Sequence, residues 1–382
     1  MVKPNDWKLV SLEEIVEFKD NLRRPIKKSS RNSGIYPYYG ATGIIGYIDN
    51  YIFEGEFILL GEDGANIVTR SYPLVYKTKG RFWLNNHAHI MSPNKEVDID
   101  FLVQLLENKD YSELNSGSAQ PKLNLKNVKS IEILLPSIEE QKKIAIILYD
   151  IDQLISFLSV LIEKKRLIKK GVSNKLLTGK KRVRGYREDW MEKTLKDVCE
   201  VKDGTHQTPK YVKQGIPFYS VENISNDDFF HTKNISLAEH KILTEKYKIE
   251  KGDILMTRIG SIGVCKYVDW EVNASFYVSL ALIKCNELID AQFLTQLSFS
   301  EDFQKEVEQH SLQHAVPKKI NLSGIPLIKI KIPQSIQEQK AIATILFDMD
   351  EEIFKLEEKL EKYKKIKQGM MEQLLTGKIR LA

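Results

Sequence analysis

The sequence predicts an α+β protein: two similar β-rich domains at opposite ends of a long antiparallel two-helix coiled coil, related by a pseudo-twofold internal repeat. Three observations predict it. Ile138–Lys180 is echoed without a gap by Ile336–Lys378, with about half of the positions identical. Each copy places helix start and stop signals around apolar residues spaced by four and three. A β-rich segment of similar layout precedes each copy.

The first domain, residues 1–135, opens with Trp7 and Leu12-Glu13-Glu14-Ile15. Tyr36–Ala41 then reads as a short aromatic strand, and Glu54–Leu59 as a turn feeding a buried strand. A short helical stretch follows at Phe101–Leu106, and Pro121-Lys122-Leu123-Asn124-Leu125 leads into the strand before the first long helix.

The first long helix is expected within residues 136–180. Ser137-Ile138-Glu139-Glu140 has the S-x-x-E capping pattern, and Gly179 suits the left-handed position after the helix end. Between them Ile144, Leu148, Ile151, Ile155, Leu158 and Ile162 form a heptad seam that continues through Lys165, Lys169, Val172 and Leu176. A helix of this length, roughly 60 Å, exceeds most domain cores, so a coiled coil is preferred over a core helix. Gly171 costs about 1 kcal/mol of helix propensity and marks a place for a bend. Ile147, Leu154, Phe157, Leu161 and Leu167 lie off the seam and broaden the apolar face. They fit either a second partner or burial beneath an adjacent domain.

Residues 181–332 hold a linker and the second domain, built on the same skeleton. Trp190 and Leu195-Lys196-Asp197-Val198 open it, with Ile216–Val221 as the aromatic strand and Lys251–Met256 as the turn and buried strand. Phe293–Leu297 is the short helix, and Pro317-Lys318-Lys319-Ile320-Asn321-Leu322 the closing segment. Gly260-Ser261-Ile262-Gly263 reads as a tight hairpin in preference to a phosphate loop.

The second helix, within 333–382, repeats the signals with Ser335-Ile336-Gln337-Glu338, Gly369 and Gly377. Its seam is Ile342, Leu346, Met349, Ile353, Leu356 and Leu360, continuing through Tyr363, Lys367, Met370 and Leu374. Off the seam it carries Ile345, Glu352, Lys355, Lys359 and Lys365, so its apolar face is narrower. The second domain starts beyond one helix's end and finishes at the other's start. A domain of its size has a radius of gyration near 14 Å and does not easily bridge roughly 60 Å, so paired helices run antiparallel.

Bulk properties are permissive. At 382 residues two or more domains are expected, and 42% hydrophobic and 29% charged residues describe an ordinary globular chain. No apolar run is read as membrane-spanning, and Met1–Trp7 lacks a leader's apolar core, so a cytoplasmic protein is expected. Cys199, Cys265 and Cys285 form no CxxC pair and read as reduced thiols. The net charge of +5 tolerates a nucleic-acid partner without demanding one.

At this point the chain resembles the specificity subunit of type I restriction–modification systems. The resemblance rests on Pro136–Ala145 and Pro333–Ala343, each with Glu-Gln followed by Ile-Ala, and on the Leu-Leu-Thr-Gly-Lys endings. Tyr36–Gly46, Leu59–Gly64 and Asn86-His87-Ala88 carry it in the first domain. Asp203-Gly204-Thr205-His206, Thr208-Pro209-Lys210-Tyr211 and Gly252-Asp253-Ile254-Leu255 carry it in the second. It covers essentially the whole chain. It implies that each β-rich segment is a target-recognition domain reading one half of a bipartite asymmetric site in double-stranded DNA. It also implies that the helices form a spacer docking two methyltransferase subunits, with restriction subunits joining that core.

The resemblance further implies a non-catalytic recognition subunit of a multi-subunit DNA methyltransferase and site-specific endodeoxyribonuclease. S-adenosylmethionine, ATP and Mg²⁺ are then expected only in partner subunits. The residues agree: no GxxxxGK[ST] loop and no Asn/Asp-Pro-Pro-Tyr/Phe motif occurs. Asp203 with His206 reads as a loop contact in preference to a metal site. Three readings stay open beside it: a related system with a fused nuclease–methyltransferase partner, a coiled-coil DNA-binding protein outside restriction–modification, and a self-contained nuclease.

DNA contacts are expected from loops. In the first domain Arg23, Arg24, Lys27, Lys28 and Arg31 suit phosphates, and Arg70, Asn85, Asn86, His87 and Gln120 suit base edges. Glu62 and Asp63 either accept from cytosine or complete a turn. In the second domain Lys202, Thr205, His206, Gln207, Lys210 and Tyr211 form the leading loop, with Arg258, His314, Lys318 and Lys319 next. Each has a solvated-loop alternative, as does the basic stretch Lys164–Arg187 beside a DNA path.

Overall fold

A computed structural model describes residues 6–117 and 120–381. Residues 1–5, part of the stretch read above for a leader, lie outside the described residues. The chain forms two compact units, and they do not follow chain order. One holds the residues up to Val160 together with those from Glu357 onward, and the other holds Leu161–Leu356.

In the first unit, β1 (Lys8–Ser11) leads into α1 (Leu12–Ile15) and β2 (Val16–Phe18). Ser11 and Glu14 form a capping box that turns the chain between the two strands. β3 (Tyr36–Gly40), β4 (Gly43–Ile48), β5 (Phe53–Gly61), α2 (Asn66–Thr69), β6 (Val75–Leu84) and β7 (Ala88–Pro93) follow. Six of these strands form one sheet in the order β2-β7-β5-β6-β3-β4, antiparallel except for the β3–β6 pair. Gly55 and Gly80 face each other in the β5–β6 hairpin, both with positive φ. That backbone bends the long hairpin where a Cβ would be strained. The start of β7 runs beside the end of β5, where Glu62 N donates to His87 O at 2.9 Å.

α3 (Ile99–Glu107) and α4 (Leu125–Lys129) cover this sheet, and β8 (Glu132–Leu135) pairs with β1 before α5 (Ile138–Leu176) begins. The core centres on Trp7, Leu12, Ile58, Leu60, Phe101, Leu102 and Tyr111, with Ile144 and Leu148 of α5 packed into it.

The second unit repeats this frame. β9 (Trp190–Thr194), α6 (Leu195–Val198) and β10 (Cys199–Asp203) turn through a Thr194–Asp197 capping box. β11 (Tyr211–Val212), β12 (Ile216–Tyr219), α7 (Val221–Asn226), β13 (Lys233–Ile235) and α8 (Leu237–Leu243) come next. β14 (Ile254–Thr257), β15 (Cys265–Tyr267), β16 (Ser275–Phe276), β17 (Leu280–Cys285), α9 (Ala291–Ser298) and α10 (Glu301–Gln309) complete the domain. Its sheets run β10-β17-β14-β15 and β11-β13-β12-β16, the β12–β16 pair being parallel like β3–β6. β18 (Lys329–Pro333) pairs with β9 and leads into α11 (Ile336–Leu374), as β8 leads into α5. Gly260–Gly263 is a hairpin turn between β14 and β15, with Gly263 N donating to Thr257 O.

Every seam residue named from the sequence is buried or half-buried along both helices, and Gly171 and Gly369 lie within continuous helix. In the first unit Lys367 of α11 pairs with Asp152 of α5 at 2.7 Å, and Arg380 reaches Glu140. In the second unit Lys169 of α5 pairs with Asp350 of α11, and Arg182 reaches Glu338. Within each unit the two helix segments therefore run in opposite directions. The two residue sets are repeat equivalents of one another.

One reading of the sequence needs correction. α5 is long and apolar enough, by length and composition, to cross a membrane. Between Lys143 and Glu163 it carries only Asp150 and Asp152 as charged residues, and the seam reading passed over that. Asp152 is held by Lys367 and, at 3.0 Å, by Gln104, while Ile144, Leu148 and Leu158 are buried. A helix packed on protein through one stripe has this pattern.

Candidate nucleic-acid interface

The repeated Glu-Gln pair, on which the resemblance partly rests, is internal structure. Gln141 is fully buried; it accepts from Asp98 N at 2.8 Å and donates to Glu96 O and Pro136 O. Gln339 does the same with Asp290 N, Leu288 O and Pro333 O. Asp98 and Asp290 in turn cap α3 and α9. Each Gln thus fixes a long helix to the short helix of its own domain.

The first domain's loop-bearing end is organised by a buried charge cluster. Arg23 donates from Nη1 to Glu62 Oε2 at 2.6 Å and to Ala88 O at 2.8 Å, and pairs with Asp20 at 3.1 Å. His89, 1% exposed, meets Asp20 Oδ2 through Nδ1 at 2.6 Å and Leu123 O through Nε2 at 2.8 Å. Lys122 approaches Glu62 at 3.3 Å. Burial pushes the Asp20 carboxyl up, but His89, the Ile90 amide and Arg23 outweigh it and hold the group below the usual range. Glu62 is lowered by the same balance, with Arg23 as its leading partner. This cluster ties the β2–β3 connection, the end of β5, the start of β7 and the 120–123 segment together.

Asp20, Glu62 and His89 also converge closely enough to be weighed as a metal site. Both ring nitrogens of His89 are already engaged, and Arg23 and Lys122 supply the positive charge the carboxylates need. The residues do not fit an added cation.

In the second domain one arginine replaces that arrangement. Arg258 follows β14 as Glu62 follows β5, and Ile320 N donates to Arg258 O as Leu123 N donates to Glu62 O. Arg258 is 4% exposed. It pairs with Asp203 at the end of β10 and donates to Val278 O and Ile320 O. Asp203 also holds His206 at 2.8 Å. The same position in the frame therefore carries a carboxylate in one domain and a guanidinium in the other.

The residues singled out from sequence divide accordingly. Arg24, Lys27, Lys28, Asn86, His87 and Gln120 are exposed, and Arg31 lies half-buried over the Tyr38 ring. His87 sits 2.8 Å from Asp63. Arg23 is taken up in the cluster, and Asn85, 4% exposed, accepts from His87 N. Arg70 stands apart in a left-handed corner after α2, paired with Glu107 at 2.8 Å. In the second domain His206, Gln207, Lys210, Tyr211, His314 and Lys318 are exposed, with Lys202, Thr205 and Lys319 half-buried and Arg258 internal. Lys202 pairs with Glu200, and Lys318 with Glu308.

Sequence reasoning missed Asp20, His89 and Lys122, which organise the first loop set. It also missed Phe230, His231 and Lys233. β11–β13 pairing brings Lys233 beside Tyr211, with its Nζ 5.4 Å from the ring centre. Asp228 accepts from the Phe230 and His231 amides and projects Phe230 at 94% exposure. No spacing in the sequence links residues 211 and 233; only strand pairing does.

Among solved structures, the S subunit of a type I restriction–modification system from M. genitalium has the same fold. Its TM-score is 0.68 at 18% identity, covering 98% of this chain and 97% of that one. A putative type I restriction enzyme specificity subunit of Haemophilus influenzae is 28% identical, over 89% of this chain and 86% of its own length. The MjaVIII specificity subunit of Methanocaldococcus jannaschii is likewise 28% identical, over 99% of this chain and 94% of its own. The model of the type I restriction modification DNA specificity domain matches twice, at residues 4–165 and 187–368. Two such domains, repeated in order on one duplicated frame, place the chain in that family: it belongs to the type I restriction–modification DNA specificity subunits.

Proposed function

We propose that each β-rich domain reads one half of a bipartite, asymmetric site in double-stranded DNA, and that the subunit performs no chemistry of its own. The observation that carries this reading is the shared frame with unlike loop ends: Asp20, Arg23, Glu62 and His89 in one domain against Asp203 and Arg258 in the other. One scaffold whose loop ends are organised by chemically different buried groups suits two different half-sites. Arg24, Lys27, Lys28, Arg31 and Lys210 supply phosphate contacts, and Asn86, His87, Gln120, His206, Gln207 and Tyr211 supply base contacts.

The helices are a pseudo-twofold antiparallel coiled-coil spacer between the two readers. The equivalence of Lys169–Asp350 with Lys367–Asp152, and of Arg182–Glu338 with Arg380–Glu140, supports that reading. The spacer docks two methyltransferase subunits, and restriction subunits join them. S-adenosylmethionine, ATP and Mg²⁺ act in those partners, and the assembly is cytoplasmic.

Sequencing the methylated positions of a host that carries this subunit with its methyltransferase partner tests the proposal. The expected result is one bipartite motif with unspecified central bases. Replacing the first domain alone should change one half of the motif, and a single unbroken motif would sink the reading.

A further inference from the structure

Cys199 on β10 and Cys285 on β17 stand directly opposite each other, with their Sγ atoms 3.7 Å apart. The neighbouring pair, Val198 and Asn286, is hydrogen-bonded, with Asn286 N donating to Val198 O at 2.9 Å. Antiparallel ladders alternate, so Cys199 and Cys285 occupy the non-hydrogen-bonded position, where Cα atoms approach to about 4.5 Å. That lies within the range a disulfide spans, and modest χ1 rotations close the remaining gap. Cys265, on β15, is separated from β17 by β14. Cys199 and Cys265 are buried, while Cys285, at the strand end, is half-buried and so the most exposed of the three.

We infer that Cys199 and Cys285 are a reversible disulfide site, closed by a low-molecular-weight disulfide such as oxidised glutathione. The Cys285 thiolate attacks one sulfur of the oxidant, forming a mixed disulfide and releasing a glutathione thiolate that takes up the Cys285 proton. Cys199 then attacks Cys285 Sγ, the second glutathione thiolate leaves, and it takes up the Cys199 proton. Two protein thiols are oxidised to one disulfide while one disulfide is reduced to two thiols. In the reduced pair the Cys199 thiol is raised by its hydrogen bond to Cys285 and by burial, so it gives up its proton reluctantly. The bond ties β10 to β17 at the base of the strand that ends in Asp203, beneath the Asp203–Tyr211 loop.

The full chain is incubated with oxidised glutathione, alkylated after unfolding and mapped by mass spectrometry. The expected product has lost two hydrogens, yields one linked peptide pair containing Cys199 and Cys285, and leaves Cys265 alkylated. Dithiothreitol reverses it, the oxidised form melts at higher temperature, and Cys285→Ser leaves Cys199 alkylated. A glutathione adduct on Cys285 that never resolves, a bridge to Cys265, or full alkylation of all three thiols overturns the inference.

Discussion

Arg380 and Glu140 lie 240 residues apart in sequence and share two hydrogen bonds, Nε to Oε1 at 2.8 Å and Nη2 to Oε2 at 2.7 Å. Arg380 also holds Asp6 through two contacts, and Glu140 accepts from Trp7 Nε1 at 3.2 Å and from Leu381 N at 3.1 Å. One carboxylate thus joins the start of the chain, the start of α5 and the segment after α11. Truncating either partner leaves the other without its bidentate match. Arg380→Ala and Glu140→Ala should each lower the unfolding midpoint of the first unit by several degrees. The double variant should fall short of the sum, and a double-mutant cycle by thermal unfolding measures that coupling. Additive losses would show that the pair contributes nothing as a pair.

The same carboxylate sets a pH dependence. The Glu140 carboxyl is held below its ordinary value of about 4.5, chiefly by the hydrogen bond from Arg380, against burial. A group lowered in the folded state adds stability that is complete above the unfolded value and fades as pH falls through the folded one. Acid titration of the wild type should therefore show stability falling below about pH 4.5, with Glu62 and Asp20 contributing in the same direction. Glu140→Gln should be less stable at neutral pH and should show a shallower acid limb. Parallel limbs for the two proteins would remove Glu140 from the account.

Arg258 and Lys210 were both read as DNA contacts, and the structure separates what their loss should do. Arg258→Ala strands the partly buried Asp203 carboxylate and two backbone carbonyls, a loss of about 3–5 kcal/mol for a broken buried pair. Unfolding of the second unit should shift strongly. Lys210→Ala removes an exposed charge and should leave the melting point unchanged. If Lys210 meets a phosphate, DNA affinity falls and the salt slope drops by roughly one ion. A filter-binding series against salt, run beside thermal melts, checks both, and equal melting losses for the two variants would contradict the division.

What the sequence disclosed follows from the range of each interaction. Seams, caps and end glycines are local patterns with fixed periods, so α5 and α11 and their buried residues were legible from spacing alone. The pairing of Arg182 with Glu338 and of Arg380 with Glu140 was not, because each joins residues more than 150 positions apart. The loop residues divide on the same ground. A surface arginine and a buried one look alike in sequence; Arg24 and Arg23 differ only because Asp20, Glu62 and the Ala88 carbonyl converge on the second. Asp20 and His89 sit at strand ends in no motif, and strand pairing alone brings them together.

α5 carries an apolar stripe that none of the first unit's described residues covers. Ile146, Tyr149, Phe157 and Val160 are 59%, 57%, 62% and 67% exposed, and at 100° per residue they fall on one side of the helix, opposite the seam. Leu154 and Leu161, named from sequence for partner docking, are half-buried nearer the seam. An exposed apolar stripe of this kind, broken by Gln153 between Tyr149 and Phe157, suits a docking partner helix. Phe157→Asp with Val160→Asp should weaken capture of the methyltransferase subunit by roughly tenfold or more, since each lost anchor is worth about 1 kcal/mol or more. The variant should keep its melting point, because no core contact is removed. Ile151→Asp, on the buried seam, should instead lower the melting point. Co-purification of tagged chain with its partner, measured beside thermal melts, distinguishes the two faces. Undiminished capture by the double variant would move the docking surface away from this stripe.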